Sequence, residues 1–475
     1  MSRIFGRKRE MGLLIVAAIV VSLMLVSLEL SQGNALTSDI LWLIGGFILV
    51  FTIAHLALCF LAEHADQILL PVTALLNGIG LVIIYRIDIA RDSSLANRQV
   101  MWTLVGVVLF CGVLAIVRDH RTLSRYSYVL GLAGLILLAL PLVWPQPTES
   151  DARIWISIGP FSVQPGEFAK ILLIIFFAQL LAMKRSLFTV AGYRFLKLDF
   201  PRLRDLAPIL VVWAFAILIM AASNDFGPAL LLFATVLGMM WLATNRASWL
   251  LIGGVLIAIG ATAVYSVSTK IQTRVKNVFN PLDDYYGTGQ QLSNSLFGLS
   301  WGGLTGTGLG EGYPLTIPIV WSDFILSAVG EELGLIGLSA VLLLFALFVT
   351  RGFKAATEVR DTYGKLLAGG LSLTLAIQVF VVVGGISALL PMTGLTTPFM
   401  SAGGSSLMAN YILLALLIRI SNSARKPAEV KSAPPVPQAE LPAGNAGVAS
   451  SDSPYATSLF PVFPGEPAPN EKGKA

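Results

Sequence analysis

"MGLLIVAAIVVSLMLVSLEL", Met11 to Leu30, decides the class of fold. It is a run of apolar residues long enough to cross a bilayer as a helix, with Glu29 as its one ionisable residue. It is also too long for the apolar core of a secretory leader and lacks a small-residue cleavage site, so it is expected to be retained as the first span. The rest of the chain repeats the theme. Of 475 residues, 55% are hydrophobic and 12% charged, and the mean hydropathy is +0.78, whereas soluble domains carry roughly a quarter charged residues. The sequence therefore predicts an all-α, polytopic membrane protein, with apolar runs at 11–31, 40–62, 68–86, 100–117, 127–144, 167–183, 208–224, 228–244, 248–268, 323–350, 366–390 and 404–420. That is about twelve spans.

Basic residues set the expected sidedness. Arg3, Arg7, Lys8 and Arg9, then Arg118, Arg121 and Arg125, then the cluster from Lys184 to Arg204, then Arg246, then Arg351, Lys354, Arg360 and Lys365, and finally Arg425 and Lys426 all fall on one side. The positive-inside rule makes that side, and both termini, cytoplasmic. The net charge of +5 reports this topology rather than a nucleic-acid partner. Segments 87–99, 145–166, 269–322 and 391–403 are expected outside. Beyond Lys426 the composition turns to Pro, Ala, Ser and Gly, which predicts a disordered cytoplasmic tail over 426–475.

Cys59 and Cys111 lie inside apolar runs and read as small hydrophobes. His55, His64 and His120 are scattered, which argues against a metal cluster. No P-loop or GxGxxG motif is present, so a nucleotide is not expected.

The long outer segment 269–322 is rich in glycines and aromatics and carries the adjacent acids Asp283 and Asp284. Spacing alone leaves two readings for this acid pair: a solvated turn after Asn-Pro, or a general base facing a lipid-linked substrate. Glu331 and Glu332, below Asp323 in the tenth span, are expected to pair with a base from another helix, and Lys170 is a candidate. Lys170 is also placed three residues after Glu167, where the two can pair with each other. Arg153, Arg274 and Lys276 add positive charge outside and are suited to a diphosphate.

Four stretches carry a resemblance. "ARIWISIGPFSVQPGEFAK" (152–170), "FNPLDDYYGTGQQLSNSLFGLSWGGLTGTGLGEG" (279–312), "SDFILSAVGEELGLIG" (322–337) and "MTGLTTPFMSAGGSSLMANYILLALLIRIS" (392–421) resemble the SEDS family (shape, elongation, division and sporulation) of RodA, FtsW and SpoVE. The resemblance runs from about 68 to 425 and is nearest to RodA-type proteins of high-GC Gram-positive bacteria. It implies a ten-span core over 68–425, with residues 1–67 as a two-span extension and 269–322 as the catalytic loop. The implied activity is polymerisation of peptidoglycan glycan strands from lipid II, beside a class B penicillin-binding protein that crosslinks them, in elongation more than in division.

By the same resemblance, the aspartate of the family's NP-x-x-D-x-x-G-x-G motif falls on Asp284 as catalytic base. Its Glu and Lys fall on Glu167 and Lys170, and its tryptophan on Trp155. Arg153, Arg274, Lys276, Gln291 and Asp323 join these as expected substrate-binding residues. Gln290, Ile154, Trp321 and Ala402 stand where the family pattern has Tyr, Arg, His and Tyr. A divalent cation, Mg or Mn, is a further candidate, with no ligand set evident. The competing expectations are a lipid II flippase using the same acids and Lys170, and a structural scaffold for a transpeptidase.

Overall fold

The structure, a computed structural model, describes residues 6–33, 38–145, 152–159, 161–189, 193–195, 198–200 and 203–426, without the side chains of 158 and 186–209. The expected tail after Lys426 and the cationic positions Arg3, Lys197 and Arg202 lie outside the described residues. In chain order the helices are α1 (Lys8–Ser31), α2 (Ser38–Leu61), α3 (Leu69–Arg91), α4 (Leu95–Ile116), the short α5 (Arg121–Arg125) and α6 (Ser127–Val143). A hairpin, β1 (Ile156–Ile158) and β2 (Phe161–Val163), leads into α7 (Pro165–Thr189), and a second, β3 (Tyr193–Phe195) and β4 (Leu198–Phe200), into α8 (Leu203–Ala222). Then follow α9 (Phe226–Thr244), α10 (Ser248–Val267), α11 (Thr269–Phe279), α12 (Gln290–Gly302), α13 (Ile325–Glu358), α14 (Thr362–Ile386) and α15 (Gly404–Arg425).

Ten of these helices are long and apolar enough to cross a membrane. The expected spans at 127–144 and 208–224 fall on shorter apolar helices, Ser127–Val143 and the Leu210–Ala222 part of α8. α13 runs eight residues past the expected 350, because its polar end, Arg351 to Glu358, keeps a helical backbone after hydropathy has fallen. The long outer segment is largely helical as well, with α11 and α12 joined by the turn that bears Asp283 and Asp284.

Three of the cationic connections, those of Arg7, Arg351 and Arg425, meet at residues 62–66. Arg7 donates to the carbonyls of Ala62, Glu63 and Ala65, and Asp66 accepts from Arg425 at 2.9 Å and lies 3.5 Å from Arg351. The segments expected outside are also tied to one another and to their neighbours. The Arg153 N–H donates to Ser223 O, that of Gln164 to Ser405 Oγ, and that of Ala402 to Trp321 O.

The N-terminal pair of helices is packed into this frame. α1 lies on α3, buried Glu10 meets both Arg7 and His55, and Ser31 and Gln32 donate to Leu309 O and Gly310 O.

α13 is broken at Gly334, whose φ of 68° and ψ of −171° lie where only glycine sits without strain. A break inside a span frees backbone groups that need partners, and the glycine-rich segment supplies them. Thr307 N and Gly308 N donate to the Glu331 and Glu332 carbonyls, while Leu335 N and Ile336 N donate to Gly303 O and Leu304 O. A β-carbon at Gly334 would collide with the Gly306 backbone, so glycine against glycine is what lets the two chains approach.

The acids beside the break hold the same segment. Glu332 accepts from Arg86 at 3.0 Å and from Gly310 N at 3.2 Å, and Glu331 accepts from Tyr313 N at 2.6 Å. The expected base from another helix is therefore Arg86 of α3 and not Lys170. The reason is register: Lys170 is taken by its own helix neighbour.

Candidate active site

The turn between α11 and α12 is built around Asp284. Its carboxylate accepts the Thr288 N–H at 2.8 Å and the Thr288 hydroxyl at 2.9 Å, both through Oδ2. These bonds to the charged form, backbone first and hydroxyl second, hold the carboxyl below the usual carboxylate range. The side chain is exposed. The glycines of the motif have a spatial reason: a β-carbon at Gly287 would strike both Asp284 carboxylate oxygens, and one at Gly289 would strike Pro281 O. Asp283 points elsewhere, 3.8 Å from Lys276 with both side chains exposed. Adjacent acids thus have separate surroundings.

Behind Thr288 lies a cavity of about 350 Å3, lined from α11 by Lys270, Arg274 and Asn277 and beyond it by Thr288, Gln291 and Met392 among others. Asn277 fastens the two sides by donating to Thr288 O at 2.8 Å. Lys270, Arg274 and Asn277 are spaced i, i+4, i+7 and so share one helix face. That spacing is the signal by which Lys270 and Asn277 were available to sequence reasoning, which passed over them.

Arg274 is more enclosed than Lys276. Burial pulls its guanidinium below the ordinary range, opposed by the charges of Asp323 and Asp225. Burial likewise raises the Asp323 carboxyl, against its own backbone hydrogen bond and Arg274. Asp225, in the turn between α8 and α9, was not among the expected residues. Burial, then the charge of Glu167, push it up to about 7, against Lys270 and Arg274.

The remaining expected residues divide. Gln291 lines the cavity and donates to Pro318 O at 3.0 Å. Glu167 and Lys170 are buried and 2.7 Å apart, and Lys170 also donates to Gln378 at 3.1 Å. Arg153 is exposed beside the hairpin, and its backbone bonds Ser223. Lys276 faces Asp283 rather than the cavity. Trp155 lines a different cavity, with Arg98, Trp102 and Phe161. The structure therefore brings Arg274 and Gln291 to the cavity that Thr288 also lines, couples Asp323 to Arg274, sets Lys276 beside Asp283 where its charge also acts on Asp284, and places Trp155 in another cavity.

The family model described as cell cycle protein, covering FtsW, RodA and SpoVE, matches residues 66–426. The chain belongs to this FtsW/RodA/SpoVE family. Within it, the chain is 47% identical over 429 residues to the peptidoglycan glycosyltransferase RodA of Mycobacterium tuberculosis (strain ATCC 25618 / H37Rv), covering 89% of this chain and 92% of that protein. It is 32% identical over 371 residues to the stage V sporulation protein E of Bacillus subtilis (strain 168), covering 76% and 98%. The expected likeness to RodA-type proteins of high-GC Gram-positive bacteria is thereby shown. Among solved structures, a chain from work on "structural coordination of polymerization and crosslinking by a peptidoglycan synthase complex" aligns with a TM-score of 0.62 at 27% identity, over 76% of this chain and 99% of that one.

Proposed function

We propose that the chain is a peptidoglycan glycosyltransferase that polymerises lipid II at the outer face of a bacterial cytoplasmic membrane, with both termini inside. The observation that carries the reading is an exposed, ionised Asp284 carboxylate held by Thr288, which itself lines a cavity with Lys270 and Arg274. The activity named for the relatives and the peptidoglycan synthase complex named for the solved neighbour support it.

In this mechanism Asp284 accepts the proton of the GlcNAc 4-hydroxyl of one lipid-linked disaccharide as that oxygen bonds C1 of MurNAc on another. The bond from C1 to undecaprenyl diphosphate breaks, and its electron pair leaves on the diphosphate. Attack opposite the leaving group inverts C1. The diphosphate is a good leaving group, so a base and a charge clamp matter more than an acid. Arg274 and Lys270 form the clamp, and Asp323 and Asp225 set the charge around Arg274. Lys170 ties α7 to α14 by donating to Glu167 and Gln378.

Among the described residues no three His, Cys, Asp or Glu side chains gather to hold a metal ion, so a divalent cation, Mg or Mn, would arrive with the diphosphate, and no step is assigned to it. A class B penicillin-binding protein is the partner that would crosslink the strands.

The test is polymerisation of purified lipid II by the detergent-solubilised protein with its transpeptidase partner, run beside a lipid II scrambling assay in liposomes. Polymer without scrambling is expected. Scrambling without polymer would move the assignment to a flippase.

A further inference from the structure

A second cavity, of about 520 Å3, lies between α4, the β1–β2 hairpin and the start of α15, and it shares no lining residue with the one behind Asp284. Three aromatic rings, Trp102, Trp155 and Phe161, and one cation, Arg98, dominate its wall. Phe161 stands edge-on to Trp102, with ring centroids 6.0 Å apart. Trp155 and Phe161 are 39% and 52% exposed, so both side chains reach the surface of the cavity.

The cavity is preformed. Gln99 donates to Met400 O and Ser401 O at 3.4 and 3.3 Å, fixing α4 to the segment before α15. Gln164 N donates to Ser405 Oγ at 2.9 Å, fixing the hairpin to α15. At Gly404 a β-carbon would lie 2.7 Å from the Trp102 ring, so the glycine lets the indole rest on the first turn of α15.

We propose that this cavity is a glycan subsite, which holds sugar units of the strand already made while the next unit is added behind Asp284. The inference rests on the polymerase reading above. Three rings to one cation suit the apolar faces of pyranose sugars, and the volume lies within the roughly 300–1,000 Å3 of ordinary ligand sites. Arg98 suits the carboxylates of peptide stems. A diphosphate would instead favour the first cavity, where Lys270 and Arg274 lie together.

The hairpin connects the two places. The Arg153 N–H bonds Ser223 O, two residues from Asp225, whose charge acts on Arg274, while Trp155, two residues further, lines the second cavity. A growing strand would thus pass along one short stretch of chain.

The test uses Phe161→Ala and Arg98→Ala, both at exposed positions, in the full chain with its transpeptidase partner. Strand length and the initial rate of lipid II consumption are measured together. Each variant is expected to shorten the strands by about threefold or more, while initial consumption stays within about twofold of wild type. A lipid-free tetrasaccharide of alternating GlcNAc and MurNAc-pentapeptide should bind wild type and bind Phe161→Ala several-fold more weakly.

Unchanged strand lengths with unchanged tetrasaccharide binding would overturn the inference. So would protection of Trp102 and Trp155 from oxidation by farnesyl diphosphate but not by the tetrasaccharide, which would mark a lipid-diphosphate site. If wild type makes no polymer, the polymerase reading fails, and tetrasaccharide binding alone then decides whether the cavity takes a glycan.

Discussion

Thr288 holds Asp284 with both of its donors, the backbone N–H at 2.8 Å and the hydroxyl at 2.9 Å. One residue thereby fixes the direction of the proposed base and keeps it ionised. Thr288→Val removes the hydroxyl and leaves the backbone bond. The expected result is a fall in kcat of roughly tenfold with KM little changed, as for an interaction that matters most in the transition state, and Thr288→Ser should recover most of the rate. Steady-state polymerisation kinetics on the three proteins check this.

Gly287 is next to the same carboxylate, and its missing side chain is what makes room for it. Gly287→Ala should displace Asp284 and lower polymerisation by about 100-fold, within the range of a lost general base. Because the turn is exposed and lies outside the helices, the thermal transition should hardly move. An active Gly287→Ala protein would show that this geometry is not needed.

The pH dependence should come from Asp225 rather than Asp284. Asp284 titrates below the usual carboxylate range, so it stays ionised from pH 5 to 8 and gives no acid limb there. Asp225, raised to about 7, is neutral at pH 6 and charged at pH 8. Its ionisation places a negative charge near Arg274 and Lys270 and weakens their hold on a diphosphate. The KM for lipid II should therefore rise by about threefold to tenfold between pH 6 and 8, and Asp225→Asn should stay at the low-pH value throughout. The linked effect on folding has the same direction: the native protein keeps a proton on Asp225 that the unfolded chain releases above its ordinary pKa. This contribution to stability is lost as pH rises through about 7.

Much of this was legible in the sequence, for identifiable reasons. Long apolar runs carry their own signal, and most of the expected spans correspond to long apolar helices. Hydropathy does not register a helix that leaves the apolar region, so the polar end of α13 at Arg351–Glu358 was missed. Asp284 stood out through its motif. Lys276 looked equivalent to Arg274 from charge alone, but two positions along α11 turn a side chain to another face, and only Arg274 lines the cavity. Asp225 and Arg86 act across turns and helices that sequence spacing does not bring together.

The Arg86–Glu332 pair, 3.0 Å apart and buried, anchors α13 and the glycine-rich segment to α3. Arg86→Met leaves Glu332 buried without its cation and should destabilise the protein by about 3–5 kcal/mol, whereas Arg86→Met with Glu332→Met should lose much less. Thermal unfolding of the solubilised variants measures both. An additive double variant would mean that the pair is not coupled.

Whether Asp284 is the base is decided by comparing wild type, Asp283→Ala and Asp284→Ala, each shown to be folded and bound to the transpeptidase partner, in glycan polymerisation from purified lipid II. Polymer is expected from wild type and Asp283→Ala, since Asp283 only faces exposed Lys276, and none from Asp284→Ala. Polymer from Asp284→Ala at the wild-type rate would contradict that role.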